Sequence, residues 1–239
     1  MSELNGKTVV IVGGTAGIGL ATAKATAARG AKVWAAGRSE AHREKAIATA
    51  AGAFEVREAD IHDAQALEAL YREAGRIDHL VLCAIGGERT LKPFLEQTEE
   101  QFKAAYGKLW GYAKAVRVGA PFLAEDGSIT LVSGSPARKI KPGQSALSCV
   151  GGAVENLARC LAVELAPVRV NIVSPGTIDT AMFDWMGDAR EERLKAVTGS
   201  HLIQRAGTPE EVAEGVLFVM NNRFVTGTTV DVDGGRILS

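Results

Sequence analysis

Cysteine is scarce in this chain. Cys83, Cys149 and Cys160 are the only three in 239 residues, and none lies in a Cys-x-x-Cys spacing. An odd, scattered set argues against a disulfide framework and for free thiols. The four histidines, His42, His62, His79 and His201, share no ligand spacing, so no metal site is expected. An excess of either charge is also lacking. The formal net charge is -1, which leaves no basic footprint for nucleic acid. Segments 38–45 and 190–195 mix both signs, as solvated helix faces do. No apolar run reads as long as the roughly 18–20 residues that a bilayer span needs. Residues 1–7 have neither the basic start nor the apolar core of a signal peptide. The expectation is a cytoplasmic protein with no membrane or nucleic-acid partner.

What the chain does have is regular alternation. Short β-branched or apolar runs at 9–12, 33–36, 54–57, 77–84, 128–133, 170–173 and 229–232 read as buried strands. Helical patterns at 17–29, 41–51, 64–74, 99–118, 145–166 and 210–220 fall between them. Thr98 and Gln101 form a capping-box pair that opens the helix at 99–118. Strand–helix alternation gives a parallel sheet covered on both faces. With no linker, repeat or composition break, the fold class is α/β: a single doubly wound domain over 1–239 with about seven parallel strands. The polar stretch 179–204 follows a strand, where ligands of open α/β sheets bind, so it reads either as a substrate lid or as a helical surface excursion.

The run Gly13-Gly14-Thr15-Ala16-Gly17-Ile18-Gly19 lies between the first strand and the first helix. In that setting the glycines permit a tight turn and close approach of a pyrophosphate, and the helix N-terminus supplies free N–H groups. The second strand ends at Gly37-Arg38-Ser39, where an acid would otherwise accept the ribose hydroxyls and repel a 2′-phosphate. A guanidinium matches a phosphate in charge and geometry, and Thr15 and Ser39 offer hydroxyls. NADP(H) is therefore favoured over NAD(H). The other reading of Arg38 is a cover for the adenine face with either cofactor.

These motifs, with several further ones, make the chain resemble the short-chain dehydrogenase/reductase family over nearly its whole length. Asp60 in Ala59-Asp60-Ile61 matches the family's adenine-binding Asp. Pro175-Gly176-Thr177-Ile178-Asp179-Thr180 resembles the segment that meets the nicotinamide carboxamide, and Thr226-Gly227 with Val232-Asp233-Gly234-Gly235 resembles the C-terminal signature. Leu82-Cys83-Ala84-Ile85, followed by Gly86-Gly87, stands where the family often has Asn-Asn-Ala-Gly. The resemblance implies a cofactor site built from Gly13, Thr15, Ala16, Gly17, Ile18, Gly19, Arg38, Ser39, Asp60, Ile61, Cys83, Ala84, Ile85, Gly86, Pro175, Gly176, Ile178 and Thr180. It also implies a homodimer or homotetramer joined through the helices at 99–118 and 145–166.

The family's catalytic tyrosine, lysine, serine and asparagine fall here on Leu147, Gly151, Gly134 and Lys108. All four identities differ. Lys108 is the candidate replacement for the lost lysine, with Gly151 vacating its space; the alternative is a surface lysine facing solvent. Ser133 and Ser135 flank the serine position as candidate hydroxyls, though local backbone capping at a strand end also explains them. His201 in the 179–204 segment is a further possible proton donor, and Cys149 is expected to be a small buried residue. The resemblance thus leads to an NADP(H)-dependent oxidoreductase with a non-standard proton source, acting on a small-molecule carbonyl, imine or conjugated double bond. The alternatives are a non-catalytic NADP(H)-binding sensor or partner subunit, and a lyase or isomerase that reuses the fold.

Overall fold

The computed structural model describes residues 4–87 and 89–239; residues 1–3 of the segment read above as no signal peptide lie outside them. Seven strands, β1 (Thr8–Val12), β2 (Lys32–Gly37), β3 (Glu55–Glu58), β4 (Ile77–Leu82), β5 (Leu123–Val132), β6 (Arg169–Pro175) and β7 (Thr229–Val232), form one sheet in the order β3-β2-β1-β4-β5-β6-β7. Every pairing is parallel. The helices are α1 (Gly17–Ala27), α2 (Glu40–Ala50), α3 (Ala64–Ala74), α4 (Glu99–Ala105), α5 (Gly107–Gly119), α6 (Ser145–Glu164), α7 (Arg190–Thr198) and α8 (Pro209–Asn221). The order reverses between β1 and β4, so the crevice for a ligand opens at the carboxyl ends of those two strands.

Alternation along β1 divides the core in two. Val10 and Val12 join Leu82, Ile129, Leu131 and Ile172 on one face, while Val9 and Ile11 join Val81, Val173 and Val216 on the other. With both faces buried, the strands carry continuous apolar runs, which is why they are legible as strands.

Two expectations are corrected. The helix at 99–118 is two helices: Thr98 and Gln101 do form the capping box, but the first helix stops at Ala105 and the second starts at Gly107. A Cβ on Gly107 would lie 2.5 Å from the Gly86 carbonyl oxygen, so the loop after β4 crosses directly over the break. This close approach fixes where Lys108 begins its helix. Second, α6 has 20 residues and a mean hydropathy of 1.3 over its most apolar window. By length and composition it meets the requirement that no run was expected to meet. In the fold it is a core helix, with Ala146, Val150, Val154 and Ala158 buried in the same cluster as Ile129 and Leu131.

Candidate active site

The first turn and the start of α1 form a cradle. A Cβ on Gly19 would sit 2.0 Å from the Gly13 carbonyl oxygen, so the turn closes on the helix only with glycine there. No side chain caps α1 and no acid lies in its first turn. By contrast, Ser39, Asp63, Thr98 and Thr208 cap α2, α3, α4 and α8. The leading N–H groups of α1 are thus open to an anion.

On one side of this cradle lies a cavity lined by Gly13, Thr15, Ala16, Arg38, Ser39, Asp60, Ile61, Cys83, Ala84, Ile85 and Gly86. The structure brings all of these predicted residues together, and Gly17 and Gly19 complete the turn behind them. His42 lines the same cavity; it was missed because a lone histidine in a mixed-charge helix carries no signal. The Arg38 guanidinium is 3.8 Å from the Asp60 carboxylate, and both are substantially exposed, a pairing worth little in water. A Cβ on Gly37 would fall 2.2 Å from Thr15 Oγ1, so this strand end has no room for an acidic side chain. Arg43 donates to the carbonyls of Gly37 and Arg38 at 3.3 and 2.7 Å and so holds the turn that presents Arg38.

A second cavity shares Cys83 and Ile85 with the first and continues past α1. Ile18, Lys108, Ser133, Pro175, Gly176, Ile178 and Thr180 line it, joined by Leu147, Met182, Phe183, Arg89 and Arg236. The two chambers meet beside the uncapped N-terminus of α1, whose free N–H groups would hold the pyrophosphate of a nicotinamide dinucleotide.

Lys108 faces this cavity rather than the open surface. Its ammonium donates to the Ser133 carbonyl at 3.2 Å and lies 5.4 Å from the Tyr112 ring centre. Burial, with a smaller contribution from the Arg89 charge, lowers its pKa to about 8. Burial raises the Cys83 thiol to about 12 against the opposing pull of Lys108, so Cys83 is a neutral wall and not a nucleophile. Tyr112 is fully buried, and its hydroxyl donates to the Val132 carbonyl at 3.0 Å.

Other expected residues are placed differently. β5 ends at Val132, so Ser133 and Ser135 do not share a strand face. Ser133 lines the cavity, but its hydroxyl donates to the Gly151 carbonyl at 3.2 Å. Ser135 is fully buried, has no partner for its hydroxyl, and does not line the cavity. Gly151 does not leave open space: a Cβ there would meet the Ala137 Cβ at 2.8 Å, because the 3-10 turn Ser135–Ala137 packs on α6. His201 is 2 % exposed and outside the cavity lining. Cys149 is exposed, not buried.

The 179–204 segment is a helical excursion that also supplies a cavity wall. It comprises the 3-10 turns Ala181–Ala189, interrupted at Gly187, and α7. Met182 and Phe183 line the cavity. Arg190 ties the base of the segment together, donating to Asp179 Oδ1 at 2.9 Å and to the Thr180 carbonyl at 2.7 Å. Arg89 and Arg236 were not singled out from sequence. A lone arginine in a loop and another at a chain end give no periodic or motif signal.

Comparison with known proteins agrees with this geometry. The family model described as enoyl-(acyl carrier protein) reductase matches residues 13–236. The chain is 32% identical to a short-chain dehydrogenase/reductase, ATR9, of Stachybotrys chlorohalonatus, with 100% of each protein covered. Among solved structures, the MalC reductase/Diels-Alderase of Malbranchea aurantiaca superposes with a TM-score of 0.91 at 31% identity, covering 100% of this chain and 99% of that one. A small-chain dehydrogenase in complex with NADPH gives 0.81 at 30% identity, covering 98% and 100%. Cradle, strand order and these relatives together establish that this chain belongs to the short-chain dehydrogenase/reductase family.

Proposed function

We propose that this protein is an NADP(H)-dependent oxidoreductase that reduces a small carbonyl, imine or conjugated double bond, with Lys108 in place of the family's tyrosine–lysine pair. The observation that carries the reading is the Lys108 amine itself, inside the cavity with its pKa near 8. When bound, the nicotinamide supplies the hydride. Ile178 and Thr180, which line the same cavity as Lys108, would hold the nicotinamide, and the apolar Leu147 and Val150 would exclude water there. Lys108 holds a proton in the range where an acid catalyst is most effective. It delivers that proton to the oxygen or nitrogen that gains electron density, or polarises that atom as an ammonium.

Positioning a donor against an acceptor supplies roughly 7–11 kcal/mol of barrier lowering, and a positioned acid adds a rate factor of roughly 10²–10⁴. An activated double bond therefore suits this pocket better than an unactivated ketone, whose alkoxide needs stronger support, and a cationic iminium is disfavoured beside Lys108, Arg89 and Arg236. The preference for NADP(H) is supported by Arg38, by the lack of room for an acid at Gly37, and by the similar dehydrogenase solved with NADPH. The reductase named among the similar structures supports hydride transfer as the reaction type. We also propose a homodimer or homotetramer through α5 and α6, which leave Trp110 and Val163 exposed at 64% and 79%.

A second reading, a cofactor-binding sensor or partner subunit, is favoured by one observation: the Ser133 hydroxyl is already committed to Gly151. The test is a panel of carbonyls, enones and cyclic imines with NADPH oxidation followed by absorbance. Turnover with at least one class, lost in Lys108→Met with NADPH affinity retained, is the expected result. Tight NADPH binding with no turnover across the panel supports the sensor instead.

A further inference from the structure

Three cations converge on the second cavity from remote parts of the chain: Lys108 from α5, Arg89 from the loop after β4, and Arg236 from the turn beyond β7. Among the described residues none of the three forms an ion pair with a carboxylate, and the lining includes no described Asp or Glu. Arg236 is 8 % exposed, and its Nε is buried with no hydrogen-bond partner. Asp233, the acid whose charge acts on Arg236, accepts the backbone N–H groups of Gly235 and Ile237, each at 2.9 Å, and so is already engaged. The Arg89 guanidinium lies against the Met182 sulfur, a weak acceptor that an oxyanion readily displaces.

Burying a charge without a partner is costly, and here like charges are gathered as well. Arg236 lowers the pKa of Arg89, and Arg89 that of Lys108, each after the larger effect of burial. Arg89 is exposed and Lys108 half-buried, so the cost of burial falls mainly on Arg236. The rest of the wall is apolar, with Ile85, Leu147, Val150 and Phe183.

We infer that the substrate carries an oxyanion, a carboxylate or phosphate ester, on a small apolar body, and that Arg236 with Arg89 binds that anion while Lys108 faces the reducible bond. The inference rests on the proposed function for the assignment of this cavity to substrate. It adds the substrate's charge and the two residues that select for it. The guanidinium forks match planar oxyanions, and engaging them satisfies the buried Arg236 Nε.

The test is calorimetric titration of the NADPH-saturated protein with phenylacetate, phenyl phosphate and neutral phenylacetamide, none of which accepts hydride. One anion should bind at least about ten-fold tighter than the amide, the equivalent of a single charge-assisted hydrogen bond. Arg236→Met should bring that ratio close to one, Arg236→Lys should retain part of it, and Arg89→Met should reduce it. NADPH affinity, measured separately by nucleotide fluorescence, should stay within about two-fold in each variant. The more tightly bound anion identifies the head group. An amide that binds as well as both anions, or no measurable binding of either anion, overturns the inference. So does an Arg236→Met variant that loses NADPH as strongly as it loses the anion, since the guanidinium then serves the cofactor. Because these readouts need no turnover, a silent substrate panel and a missing anion preference are separate failures.

Discussion

The cations at the amino edge of the sheet and those of the second cavity, at its carboxyl edge, are held in opposite ways. At the amino edge, Lys7 pairs with Asp78 at 2.8 Å and Arg223 with Asp126 at 3.2 Å. Arg169, nearly buried, donates to the carbonyls of Val219, Met220, Asn222 and Val225 and thereby ties off the C-terminus of α8. At the carboxyl edge, Lys108, Arg89 and Arg236 face a cavity with only a carbonyl, a sulfur and an aromatic ring against them. A buried cation whose terminal nitrogens are bonded to backbone carbonyls supports the fold. One whose donors are left over costs stability and is retained for what it binds. The difference sets the second cavity apart from the rest of the surface without reference to any catalytic motif.

The contrast can be broken first at Lys108. Lys108→Met should lower kcat by a factor of roughly 10²–10⁴ on any substrate the protein reduces, the worth of a positioned acid, with little change in NADPH affinity. In the unaltered protein, kcat/KM should fall as pH rises through about 8, because the ammonium there loses its proton. Stopped-flow and steady-state pH profiles check both. A rate unchanged in the variant removes Lys108 from the chemistry.

At the amino edge the cost should appear in stability instead. Arg169→Met strands several carbonyls at the end of α8. It should cost about 3 kcal/mol or more, a fall of roughly 6–12 °C in Tm for a chain of this size. Arg236→Met should stay within about 0.5 kcal/mol or gain stability, since it removes an unpaired buried charge. Equal losses for the two would erase the distinction between the edges.

His79 gives the amino edge a pH signature. It is buried, its Nδ1 lies 2.8 Å from Ser128 Oγ, and burial lowers its pKa from 6.5 to about 4. Between those values the unfolded chain binds more protons than the folded one. Stability from this group is therefore complete above pH 6.5 and declines as pH falls to about 4, by up to about 3 kcal/mol. Urea melts of the protein and of His79→Asn across that range should differ in slope.

A smaller effect concerns position 151. Gly151→Lys, alone or with Leu147→Tyr, should cost about 1–3 kcal/mol by overpacking, since its Cβ meets Ala137. It should not create ordinary alcohol dehydrogenase activity. A stable double variant that gains it would show that the Ser135–Ala137 turn yields easily.

Much of this was legible in the chain because it is local. The β-branched runs, the glycine fingerprint and the Thr98–Gln101 capping box each act over a few residues, and the structure contains all three. The convergence of the candidate cofactor residues on the two cavities was legible for the same reason, since most sit in short motifs at strand ends. The break at Tyr106 was not, because its cause is the Gly86 carbonyl crossing Gly107 from another element. Nor was the filling of the space beside Gly151, which depends on how the turn after β5 folds back onto α6. Ser135 and His201 looked available as bare residue types, yet packing buries both away from the cavity.

By itself, then, the sequence determined the alternation of strand and helix, the glycine turn that opens α1, and which residue types stand at the strand ends, because periodicity, backbone freedom and side-chain chemistry are encoded residue by residue. The gathering of Lys108, Arg89 and Arg236 around one cavity, and the closure of the space beside Gly151, were decided only by the tertiary structure. The distance between groups from different crossovers is set by how the helices pack on the sheet, and no spacing along the chain records it.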